Sequence, residues 1–230
     1  IKPDKKLSLA DIQGMMRDPY EGTELDWILA QSNQQIFFYD KGQSIKPSDI
    51  PVEKFDSVRI NAKTIFLRTQ IRSKGGNLFT TFINELLNCS LEQDEFFETD
   101  TFDLFLFDDM NLMRGKILEK DKQYGLARLV AGYAWKWYSK GDKTGELYDM
   151  KIDGVNLRWN STYINFINSE NAVNEVGCIH TTQGYDINYV GVIFGPEIGY
   201  SKAKKCIEIY PEKYEDKNGK NTATEEELYD

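Results

Sequence analysis

Three short polar clusters in the sequence sit at expected strand ends, where an open α/β sheet binds ligands. They are Asp40-x-x-Gln43, Gln70-x-Arg72, and the run His180-Thr181-Thr182-Gln183-Gly184-Tyr185-Asp186. Arginine offers a planar, permanently charged fork of donors that matches phosphate. A glutamine amide both donates and accepts hydrogen bonds. Each cluster also has a plainer reading. An Asp-x-Gly-Gln loop serves as a turn whose side chains bond the local backbone. An arginine after a strand is often solvated or ion-paired, and a lone histidine beside threonines is often a hydrogen-bonded structural group. Spacing and composition leave both readings open.

Other chemistries are limited by what the chain lacks. His180 is its single histidine, so a multi-histidine metal site is excluded, and any Ser-His-Asp triad would have to use that residue. Cys89, Cys178 and Cys206 are widely spaced, with no Cys-x-x-Cys pair, which fits neither a disulfide framework nor zinc. No metal site is expected, and a reducing, cytoplasmic setting fits this cysteine usage. The net charge of −9 argues against avid non-specific nucleic-acid binding, which needs phosphate neutralisation by Lys and Arg. It does not exclude a local basic groove.

The clusters need elements to position them. With 230 residues and 40% hydrophobic content, the chain suits one large domain or two modest ones. No apolar run is long enough to cross a membrane. Ile1–Lys6 lacks the apolar region of a signal peptide, and the chain opens without Met, so it reads as a processed chain or a piece of a longer one. Helices are expected from Ser8, over Leu25–Ala30, from Ser48 to Phe55, around Leu78–Leu87 and over Met110–Lys122. Strands are expected at Gln35–Tyr39, Lys63–Leu67, Thr101–Phe107, Leu126–Ala134, Glu175–Ile179, Tyr189–Phe194 and Lys205–Tyr210. Asp153-Gly154 marks a tight hairpin between two short strands. Strands alternating with helices predict a mostly parallel α/β sheet with helices on both faces, one sheet from about Asn61 to Tyr210. The segment from Pro211 reads as a mobile charged loop leading into a capping box at Thr224.

Taken together and in order, the clusters resemble motifs III, IV and V of superfamily 1 helicases. Gln35-Ile-Phe-Phe-Tyr-Asp-Lys-Gly-Gln resembles motif III, Leu67-Arg-Thr-Gln-Ile-Arg motif IV, and Cys178-Ile-His-Thr-Thr-Gln-Gly-Tyr-Asp motif V. Gln183-Gly184 resembles the RecD-like branch. Arg128-Leu-Val-Ala-Gly-Tyr-Ala-Trp, Trp159-Asn and Glu175 to Pro196 resemble the Schlafen group 3-like DNA/RNA helicase domain, over nearly the whole chain. The resemblance implies a RecA-like fold of the P-loop NTPase type. It places the end of a first RecA-like domain at 1–60, most of a second at 61–210, and a truncated helix at the end of 211–230. It implies ATP and Mg²⁺ in the full-length parent, clamped against a missing N-terminal RecA-like domain, and single-stranded DNA or RNA as partner. Arg72 and Gln43 would be catalytic. Asp40, Gln43, Gln70, Arg72, Gly184 and Asp186 would face the nucleotide. His180, Thr181, Thr182 and Gln183 would face the strand, with His180 linking the two sites.

The sequence also departs from that pattern. It contains no Gly-x-x-x-x-Gly-Lys-Ser/Thr, no strand-end Asp-Glu pair and no second motif arginine. Ser73-Lys74-Gly75-Gly76 has its lysine before the glycines, and Asp108-Asp109 reads as a charged turn. The chain alone is therefore expected to lack ATPase activity. A RecA-like module that binds nucleic acid or a partner without hydrolysing ATP is the alternative. Tyr133, Trp135, Trp137 and Tyr138 fit either a buried cluster or a base-stacking set. Lys202, Lys204 and Lys205 fit a solvated edge.

Overall fold

A computed structural model describes residues 23–40, 50–67, 73–92 and 96–216. The chain falls into two compact units, 1–66 and 67–230. The expected helix at Ser8, Gln43, Gln70, Arg72 and the capping box at Thr224 lie outside the described residues.

In the first unit, α1 runs Glu24–Gln31 and α2 runs Val52–Arg59. Thr23 opens α1, donating from both N–H and hydroxyl to Asp26 Oδ2, and Lys54 Nζ reaches the same oxygen at 2.8 Å. The Lys54 hydrogen bond and the two from Thr23 hold the Asp26 carboxyl down at about 2. α2 starts four residues later than Ser48, behind Pro51, whose φ of −55° suits a helix entry. Tyr39 stacks on Phe55 with ring centroids 4.2 Å apart.

Three expected strands are not formed. Gln35–Tyr39, Lys63–Leu67 and Thr101–Phe107 carry no strand, and Phe38 and Leu106 are 89% and 97% exposed. A strand is stable only with a paired neighbour, and among the described residues these runs form no ladder beyond an isolated bridge between Phe102 and Thr99. The expectation of strands ending before Asp40 and Arg68 is corrected accordingly. Aromatic content made the runs read as strands, but composition cannot supply the pairing.

The second unit forms the expected mostly parallel α/β, RecA-like sheet, beginning at Ala127 and not near Asn61. β1 (Ala127–Ala131) lies between β4 (Glu175–Gly177) and β5 (Tyr189–Ile193), parallel to both. β3 (Val155–Trp159) is parallel to β4, and β2 (Met150–Ile152) closes the edge antiparallel to β3, giving the order β2-β3-β4-β1-β5. The β2–β3 turn is the expected one, with Asp153 and Gly154 at φ 49° and 78°. A separate antiparallel hairpin pairs β6 (Ile198–Ser201) with β7 (Cys206–Ile209). β7 was expected; β6 was not, because Ile-Gly-Tyr-Ser lacks a clear alternation.

Two helices precede the sheet, α3 (Gly76–Leu87) and α4 (Met110–Tyr124). Asp109 is the cap of α4, its Oδ1 accepting from the Asn111 N–H at 2.6 Å, and Asp153 Oδ2 accepts from the Met110 N–H. Ile117 of α4 packs beside Leu129 and Gly191 on one sheet face, in the main core with Trp159 and Val176. The opposite face is covered by the turn Phe166–Asn168 and by α5 (Ile179–Thr182). Arg128, also on that face, is buried; its guanidinium donates to the Ile167 carbonyl and pairs with Asp121 at 2.7 Å. At the far end, Pro211–Lys213 form a short turn and the Glu215 N–H donates to the Tyr133 carbonyl. Among the described residues no helix is long and apolar enough to cross a membrane.

Candidate functional site

β1, β3 and β4 run parallel, so the chain leaves all three at one edge of the sheet. In open α/β sheets this carboxyl edge is where ligands bind. The segments there are Gly132–Ser139 after β1, Asn160–Asn165 after β3 and Cys178–Asp186 after β4.

Buried polar side chains tie these segments together. Asp149, just before β2, accepts from the Ser139 N–H and hydroxyl at 2.7 and 2.6 Å, and from the Trp159 N–H at 2.8 Å. The Trp159 indole donates to the Trp135 carbonyl. Asn160, 1% exposed, donates its N–H to the Val176 carbonyl and its Nδ2 to the Thr162 carbonyl. Its Oδ1 lies 3.4 Å from Thr181 Oγ1. Beyond Ser139, hydrogen bonds from the Thr144 hydroxyl and from the Leu147 and Thr144 N–H groups hold the Asp142 carboxyl at about 2, facing Arg158.

The structure brings His180, Thr181, Thr182, Gln183, Gly184 and Asp186 together in the one loop after β4. Thr181 is buried; its hydroxyl lies 2.9 Å from the Cys178 carbonyl and accepts from the Cys178 N–H at 3.1 Å. That hydroxyl is engaged inside the protein, so Thr181 sets the loop's position. Thr182 is half-buried and donates to the same carbonyl. His180, Gln183, Gly184 and Asp186 are exposed. Gly184 turns the chain at φ +88°, a conformation that favours glycine. On β4, a Cβ at Gly177 would stand 2.7 Å from Thr182 Cγ2 and 2.8 Å from Phe166 Cε1. Only a residue without a side chain lets this loop sit against the sheet. Asp40 belongs to the first unit, at the end of its described 23–40 segment.

The sequence reading did not single out several residues of this edge. Asn160 entered only through the resemblance at Trp159-Asn, and Asp149 and Ser139 carried no signal. Glu197, past β5, is 6% exposed against Gly132 and Gly195, and its Oε2 has no hydrogen-bond partner. Burial pushes its carboxyl up from the ordinary value. Burial likewise raises the Tyr133 phenol and keeps it neutral.

With the edge described, its kinship can be stated. Residues 9–229 match the family described as Schlafen group 3, DNA/RNA helicase domain. The chain belongs to that family. It is also similar to the uncharacterized protein YPL245W of Saccharomyces cerevisiae, 37% identical over 122 residues, which is 51% of this chain and 26% of that protein. The chain therefore matches about a quarter of that relative's length. No solved structure matches it. Among the described residues no cluster of three His, Cys, Asp or Glu could hold a metal ion, and the sequence has no phosphate-cradling P-loop; Gln43, Gln70 and Arg72, which the resemblance assigns to the nucleotide, lie outside the described residues.

Proposed function

We propose that this chain is the strand-gripping part of a superfamily 1, RecD-like motor acting on single-stranded DNA or RNA in the cytoplasm. The observation that carries the reading is the loop after β4. Buried Thr181 and Asn160 fix it at the sheet's carboxyl edge, while His180 and Gln183 stand in solvent beside it. Exposed amide and imidazole donors on a fixed loop suit the phosphates of a strand, contacts that position it without reading its sequence. Thr181 and Thr182 hold the loop's shape. Asp186 turns toward the nucleotide side through a network, because two anions repel.

Hydrolysis, in this proposal, needs a further RecA-like domain to supply the P-loop and hold ATP with Mg²⁺. Gln43, Gln70 and Arg72 meet the nucleotide when the cleft between the domains closes, with Arg72 delivering charge to the γ-phosphate. Asp40 orients the loop that carries Gln43. The chain by itself binds strand without turnover. A module that never hydrolyses ATP is the second reading, favoured by the missing P-loop.

Fluorescence anisotropy with labelled single strands tests the strand role. The chain is expected to bind oligo(dT) and oligo(U) similarly, with affinity falling as salt rises. His180→Ala with Gln183→Ala is expected to weaken binding to both equally. Binding unaffected by that pair, or absent altogether, overturns the proposal.

A further inference from the structure

Five rings form one continuous row along the carboxyl edge. His180 lies 6.1 Å from Tyr133, Tyr133 lies 5.3 Å from Trp159, Trp159 lies 6.1 Å from Trp137, and Trp137 lies 5.5 Å from Tyr163, centroid to centroid. The row is graded in burial. Trp159, in the middle, is 1% exposed, Tyr133 and Trp137 are partly exposed, and Tyr163 at the outer end is 53% exposed. The row reaches solvent at both ends, at His180 and at Tyr163. Lys140 stands beside the row, its Nζ 5.7 Å from the Trp137 ring centroid and its side chain exposed.

The rings are also held rigidly. Trp159 is pinned through its indole to the Trp135 carbonyl and through its backbone N–H to Asp149. The segment bearing Trp137 is tied to Asp149 at Ser139. A pre-fixed aromatic surface loses little entropy on binding.

We propose that this row is a base-stacking platform for single-stranded nucleic acid, with Tyr163 and the open side of Trp137 taking unpaired bases and Lys140 a flanking phosphate. Aromatic faces beside a basic group are how proteins hold single strands without sequence preference, because every base has a π-face. The row starts at His180, so the platform continues the track assigned to the loop after β4. The inference thus rests on the strand-binding reading and extends it from phosphates to bases.

The test compares oligo(dT) with an abasic strand of the same length, which keeps the phosphates and removes the bases. The chain is expected to favour oligo(dT), by roughly 5- to 150-fold for each stacked base. Tyr163→Ala is expected to lower oligo(dT) affinity while leaving the abasic strand's affinity unchanged, and Tyr163→Phe to restore it. Because Tyr163 is half exposed, its truncation spares the fold. Equal affinity of the unsubstituted chain for the two strands overturns the platform and leaves the phosphate-binding reading standing. So does a base preference that Tyr163→Ala leaves undiminished. No affinity for either strand overturns both.

Discussion

Thr181 and Asn160 meet side chain to side chain, Oγ1 to Oδ1 at 3.4 Å, in a spot where each is 1% exposed. One residue follows β3 and the other belongs to the loop after β4, so the contact locks two segments of the carboxyl edge together. Thr181 keeps its bonds to Cys178, so truncating Asn160 costs this contact and the Nδ2 bond to the Thr162 carbonyl, about 1 kcal/mol. Asn160→Ala is expected to lower unfolding free energy by that amount in urea titration. It should also weaken strand binding without changing its salt dependence, since no phosphate contact is lost.

Gly177 shows how tightly the same loop is seated. A methyl there would meet Thr182 and Phe166 at under 3 Å, and overpacking of this kind costs about 1–3 kcal/mol. Gly177→Ala is expected to lower the melting temperature and to reduce strand affinity by displacing His180. A variant with unchanged stability would mean that the loop yields freely.

Glu197 gives a pH signature. Burial raises its folded-state pKa above the unfolded value near 4.5. The folded chain therefore keeps a proton that the unfolded chain has released. The stability this contributes is fully present below the unfolded pKa and is lost as pH rises through the folded one. Glu197→Gln, always neutral, is expected to flatten that decline and to melt higher than the unsubstituted chain at neutral pH, with the gap closing near pH 4. Thermal melts across this range check it, and parallel pH curves for the two proteins would refute it.

In the proposed function Arg72 meets the nucleotide and not the strand. In a protein carrying this chain with a P-loop domain, Arg72→Ala is expected to cost about 10³–10⁵ in kcat, as loss of an arginine finger does. Strand affinity should stay nearly intact. Thr181→Ala with Thr182→Ala should do the reverse, loosening the loop and lowering strand stimulation more than basal turnover. Equal effects of both variants on both readouts would dissolve the separation of roles.

Much of the second unit was legible because its signals are local. The Asp153-Gly154 turn needs two positive φ angles and has them, and Val190 to Phe194 alternate with buried Gly191 and Ile193 as an edge strand should. The runs at Gln35, Lys63 and Thr101 misled because their aromatic and β-branched content is a strand preference, whereas a strand is made by its neighbour. The loop from His180 to Asp186 was found as a cluster, but the burial of Thr181 was not readable. A hydroxyl beside an exposed histidine looks available until Asn160, more than twenty residues earlier, is brought against it. Asp149 escaped notice for the same reason, since its three donors come from Ser139 and Trp159.

Zero-length photo-crosslinking of a 4-thiouridine strand to the chain, with the modified peptides identified by mass spectrometry, tests the central claim most directly. Adducts are expected in the loop after β4, at His180 to Gln183, and in the neighbouring aromatic segments of the carboxyl edge. Adducts confined to α4, on the face of the sheet packed by Ile117, would contradict it.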